Sequence, residues 1–111
     1  MPNSGWYAFE EGETLGQVGS EAGLIVSDEE HVLGARITLE RETRMAPFAI
    51  TCGVYGAMLH TRFLGDEAEA RAEYEAMKEA LAALVEMVDD ASEAGRQAFA
   101  AGATDFVARF P

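Results

Sequence analysis

Ala70, Tyr74, Met77, Leu81, Leu84, Val88 and Ala91 recur at spacings of 4, 3, 4, 3, 4 and 3, the period of one face of an α-helix. A stripe of that kind must be buried against other apolar surface. It spans only about three heptads, short for a coiled coil. The core has no other source than the residues before it, so the stripe is expected to lie on a sheet formed by them. Gly65, Asp66 and Glu69 mark the start: Asp66 is a good N-cap, and Glu69 falls three residues on, close to a capping-box spacing. Asp89 and Asp90 would sit at the negative end of the helix dipole, which predicts a break around Asp90 to Ser92. A second helix is expected from about Ser92 to Arg109, with Phe99, Ala103, Phe106 and Phe110 as its own stripe. Gly95 and Gly102 either weaken it or let it pack closely.

Composition changes near position 65. Before it, β-branched and aromatic residues cluster between glycines; after it, alanine and glutamate dominate. Ala35 to Glu40 alternates strictly, with Ala35, Ile37 and Leu39 on one side and Arg36, Thr38 and Glu40 on the other, which is the pattern of a half-buried strand. Trp6 to Phe9 and Leu24 to Val26 read as two further strands, with Asp28-Glu29-Glu30-His31 as a polar connection. Between Phe48 and Phe63 the apolar phase shifts from even positions (Phe48, Ile50, Cys52, Val54) to odd ones (Leu59, Phe63). A two-residue turn at Tyr55-Gly56 would restore it by pairing Val54 with Ala57, Cys52 with Leu59, Ile50 with Thr61 and Phe48 with Phe63. One long strand with a bulge near Gly53 or Gly56, which also shifts the phase, is the alternative.

These elements predict a single α+β domain over residues 1–111. It has two layers: an antiparallel meander of four or five strands over about 5–64, and two C-terminal helices over about 66–109 packed on one sheet face.

Twenty acidic against eight basic side chains leave a net charge of -12. The excess is densest in residues 66–90. Nucleic acid and anionic lipid are poor partners for such a surface, because both require clustered Lys and Arg. No run of about 18 apolar residues is present to span a membrane. The start, Met1-Pro2-Asn3-Ser4-Gly5, lacks the pattern of a secretory leader. The lone cysteine, Cys52, fits a reducing compartment. A cytoplasmic protein is therefore expected, and seven arginines against one lysine associate it with a GC-rich bacterial genome.

Chemistry-bearing residues are scarce. His31 follows three acids, but neither a calcium-loop spacing nor a His pair accompanies it, so no metal site is expected and His31 reads as a surface residue in a solvated turn. Cys52 and His60 are the only thiol–imidazole pair. In the two-residue-turn register they fall on opposite faces, and Cys52 reads as a small core residue. Glycines 12, 16, 19 and 23 match no phosphate loop, and Glu10, Glu11, Glu13 and Glu21 would repel an anion there; a mobile acidic loop is expected instead. His60 and Arg62 form a basic pair on one strand face, with Thr51 across from His60 and Arg36 able to point the same way, a candidate site for an anion or carboxylate.

Three functions fit. The first is a small non-enzymatic interaction protein that self-associates as a homodimer, since both faces of the early strands are apolar and the helices can cover only one. The second is a small-molecule module binding an anion through His60, Arg62, Thr51 and Arg36. The third is an acidic inhibitor or immunity-type protein that meets a basic protein partner. No cofactor is implied, and no nucleophile–base pair or metal set supports an enzyme.

Overall fold

The computed structural model describes residues 4–89 and 91–111; the residues before Ser4 and Asp90, the latter expected at the helix break, lie outside them. Five strands, β1 (Trp6–Ala8), β2 (Leu24–His31), β3 (Ala35–Arg41), β4 (Phe48–Val54) and β5 (Met58–Leu64), precede two helices, α1 (Glu67–Val85) and α2 (Glu93–Arg109). The strands form one sheet in chain order, every neighbour antiparallel. This is the expected meander with two C-terminal helices, an α+β two-layer fold.

The alternation of β3 is realised as read. Ala35, Ile37 and Leu39 are buried against α1, and Ile50, Cys52 and Val54 of β4 lie opposite them on the same face. Ala70, Tyr74, Met77, Leu81 and Leu84 complete this core from α1, while Phe106 and Phe110 close it at one end of α2. Each fully buried Leu or Ile in it contributes about 1.5–3 kcal/mol. Asp66 caps α1 by accepting the Glu69 N–H at 2.9 Å, and Ser92 caps α2 by accepting that of Gly95 at 2.9 Å. A side chain at Gly102 would crowd Leu84 and Met87 at 3.1–3.3 Å, so this glycine permits the close approach of α2 to α1.

Several expectations are corrected. The acidic run 28–31 is not a connection: β2 continues through it to His31, with a register irregularity between Ile25 and Ser27. The run tolerates strand geometry because each acid finds a partner. His31 is buried, edge-on to the Trp6 ring, with Nδ1 accepting the Leu33 N–H at 3.1 Å. Phe9 leaves β1 and opens a turn in which Glu10 and Glu11 are left-handed. The helix α1 stops at Val85 rather than near Asp90; Glu86 and Asp89 crowd its negative end, and Val88 is left exposed.

The correction with most consequence concerns the last hairpin. A hairpin it is, but its loop has three residues, Tyr55-Gly56-Ala57, and Val54 pairs with Met58, Cys52 with His60, Ile50 with Arg62 and Phe48 with Leu64. A two-residue turn would demand left-handed backbone at Tyr55 as well as at its neighbour. In the longer loop Gly56, at φ 73, is the left-handed residue and Tyr55 is not one. The one-residue slip reverses the faces of β5. Met58, His60, Arg62 and Leu64 turn toward the helices, and Leu59, Thr61 and Phe63 toward the opposite side.

Candidate functional site

The helices occupy one face of the sheet. On the other, residues 9–23 arch over β2 and β3 and leave β4 and β5 open beside them. Three contacts pin this arch. Thr14 Oγ1 donates to Asp28 at 2.8 Å, and the backbone N–H groups of Glu21 and Gly23 donate to the buried Glu40 carboxyl at 3.0–3.3 Å. The Gly16 N–H also donates to the Ile25 carbonyl, and the Ile25 N–H to the Gln17 carbonyl. The segment read as a mobile acidic loop is thus hydrogen-bonded along its length.

Between this arch and β5 lies a cleft of about 750 Å³. Its floor is the outward face of β3 and β4. Thr51 and Thr61, directly paired across β4 and β5, hold their hydroxyls 3.3 Å apart. Gly53, paired with Leu59, adds no side chain; a Cβ there would stand 2.8 Å from the Met58 carbonyl. Phe9, Val18, Ile25 and Leu59 provide apolar walls, and Gln17, Ser20 and Tyr55 polar ones. Leu59 is 79% exposed and Phe63 43%, both on this face.

The charges around the cleft are unevenly engaged. Asp28, whose side chain is fully buried, accepts from Arg36 Nε at 2.9 Å and Nη2 at 2.7 Å, from Thr38 at 3.0 Å and from Thr14. The Arg36 guanidinium also lies 3.7 Å over the Phe9 ring. These contacts commit Arg36, the only basic residue of the lining, to internal partners. Glu10 and Glu21 stand at the rim without an ion pair among the described residues. The local field is therefore acidic. Past the end of the cleft, Tyr7 and Tyr55 each donate a phenol to one oxygen of Glu30. The bonds from Tyr55 and then Tyr7 hold the Glu30 carboxyl below its usual range, while burial, reinforced by Glu30, pushes the Tyr55 phenol up to about 12.

The four residues read as an anion site are divided by the sheet. Thr51 and Arg36 line the cleft. His60 and Arg62 face the helices: His60 Nε2 meets the Phe110 carbonyl at 2.5 Å and its ring lies edge-on to Phe106, while Arg62 pairs with Glu73. Cys52 and His60 are now direct cross-strand partners on the helix face. Burial pushes the Cys52 thiol up to about 12, so at neutral pH it carries no thiolate to act as a nucleophile. Among the described residues no group of three His, Cys, Asp or Glu side chains is placed to hold a metal.

Glu10, Gln17, Val18, Leu59 and Thr61 were not singled out as site residues by sequence. For Leu59 and Thr61 the signal was the register of β5, since the slip that hides His60 and Arg62 is the one that brings these two to the cleft; Glu10, Gln17 and Val18 carried no local signal. Compared with family models, with curated proteins and with solved structures, the chain finds no match in any of the three.

Proposed function

We propose that this protein is a non-enzymatic binding module for a small amphipathic ligand, neutral or cationic, held in the cleft of the bare sheet face. The observation that supports it is the cleft of about 750 Å³ itself, within the roughly 300–1,000 Å³ range of small-molecule sites. Its walls offer apolar contact, its floor the Thr51 and Thr61 hydroxyls, and its rim the acids Glu10 and Glu21, neither in an ion pair among the described residues. Anionic ligands are disfavoured there, because Arg36 is already neutralised by Asp28 and the rim would repel them. A reducing compartment such as the cytoplasm accommodates the single buried thiol.

A thermal-shift panel of alkylammonium ions, the matching alkanols, the matching carboxylates and inorganic phosphate tests this reading. A ligand at 100 times its dissociation constant stabilises the fold by about 2.7 kcal/mol. Hexylammonium or hexanol should raise the melting temperature and hexanoate should not. Thr51→Phe, which fills the floor, should remove the effect. A panel in which only anions act, or in which Thr51→Phe responds like the native chain, overturns it.

Self-association is a second reading, favoured by the exposure of Leu59 and Phe63 on the same strand and face. Apolar side chains gathered in one exposed patch commonly mark an interface.

A further inference from the structure

The strand β5 ends the sheet as an open edge. The opposite edge, β1, has only three residues, whereas β5 runs for seven with no register irregularity against β4. It lacks the devices that usually blunt a long edge, having no Lys, no Pro and no bulge. Its charged residue, Arg62, faces the helices and is paired with Glu73. In a chain of net charge -12, β5 also carries no acidic side chain. Two copies approaching through it therefore bring no acid of the strand itself into opposition.

We propose that β5 pairs with β5 of a second copy, antiparallel and centred on Thr61, to give a continuous ten-stranded sheet. The outward face of the strand is self-complementary in that register. Thr61 faces Thr61 of the other copy, and Leu59 faces Phe63 twice, once on each side of the two-fold axis. Aliphatic–aromatic cross-strand pairs of this kind are favourable, and threonines directly opposite one another are too. The interface is isologous and closes at two copies, leaving β5 no further free edge. On the helix side Met58 meets Leu64 and His60 meets Arg62, whose guanidinium stays paired with Glu73 while the His60 ring stays on the Phe110 carbonyl. Leu59 and Thr61 also line the cleft, so the oligomeric state is read on the ligand-free native chain, where its outcome is distinct from that of the ligand panel.

Cysteine scanning tests both the dimer and its register. Directly opposite residues in an antiparallel pair have Cα atoms about 4.5–5.5 Å apart, within disulfide reach. Thr61→Cys should therefore oxidise to a covalent dimer. Leu59→Cys should not, since the two copies of residue 59 lie about 13 Å apart along the strands, four residues at strand rise. Native Cys52 is buried and should stay unreacted. Light scattering on the native chain should return twice 11.9 kDa, and Thr61→Lys, which sets like charges on the axis, should return the monomer with its circular dichroism unchanged. A native chain that is monomeric at sub-millimolar concentration overturns the proposal and leaves the edge to a strand from another protein. Equal cross-linking by Leu59→Cys, or a dimer that survives Thr61→Lys, overturns the register.

Discussion

Asp28 and Arg36 stand diagonally on neighbouring strands, Asp28 opposite Thr38 and Arg36 opposite Glu30, and join through two hydrogen bonds of 2.7 and 2.9 Å. Thr14 and Thr38 donate to the same carboxylate, so one buried acid ties β2, β3 and the arch over them together. Asp28→Ala should cost about 2–4 kcal/mol in urea unfolding, because several buried donors lose their acceptor at once. The partly exposed Arg36 can still reach water, which keeps the loss below that of a fully buried pair broken open. A change under 1 kcal/mol would mean that the arch is not anchored there.

The reversed face of β5 is testable through stability alone. In the Thr61→Lys background, where the interface is lost, Leu59→Thr should shift the unfolding free energy by no more than about 0.5 kcal/mol, as at an ordinary surface position. Leu64→Ala and Leu81→Ala, both in the core, should each cost about 2–5 kcal/mol. A large loss at Leu59 would restore the two-residue turn.

Much of this fold was legible in the sequence, and the parts that were not share a cause. The alternation of β3, the cap Asp66 and the stripe of α1 are local signals, carried within a few residues. The β2 acids depend on distant partners: Glu29 on Tyr74 and Lys78, Glu30 on Tyr7 and Tyr55. No local pattern announces these, so the run resembled a loop. For β5 the sequence offered two apolar pairs, Leu59 with Phe63 and Met58 with Leu64, one on each face. Hydrophobicity does not choose between them. The turn does, since Gly56 accepts a left-handed conformation and Tyr55 resists one, and the candidate site moved with that choice.

The clasp made by Tyr7, Glu30 and Tyr55 should make stability depend on pH at both extremes. Glu30 has a lowered pKa in the folded chain, so its contribution is present above the ordinary carboxyl range and is lost as pH falls through the lowered value. Tyr55 is raised to about 12. Its contribution is complete below about 10, the unfolded value, and is lost as pH rises from there through 12. Tyr55→Phe should flatten the alkaline limb of a melting-temperature profile and raise the Glu30 pKa seen by NMR. An unchanged limb would place the alkaline sensitivity elsewhere, with Tyr74 the next phenol to test.

Self-repulsion at a net charge of -12 should lower stability when screening is weak. Raising salt from about 10 to 150 mM shortens the Debye length from ~30 to ~8 Å, and the melting temperature should rise with it. A flat or falling response would show that the engaged acids, such as Asp28 and Glu29, outweigh the exposed ones.

Assignment of function to the bare sheet face is most directly tested by amide chemical-shift mapping during a hexylammonium titration of the native protein. Shifts should saturate together at Gln17, Ser20, Thr51, Gly53 and Thr61, with His60, Arg62 and the amides of α1 unmoved. Shifts centred on His60, Arg62 and the Phe110 end of α2 would contradict it, as would a titration that moves no amide in the cleft.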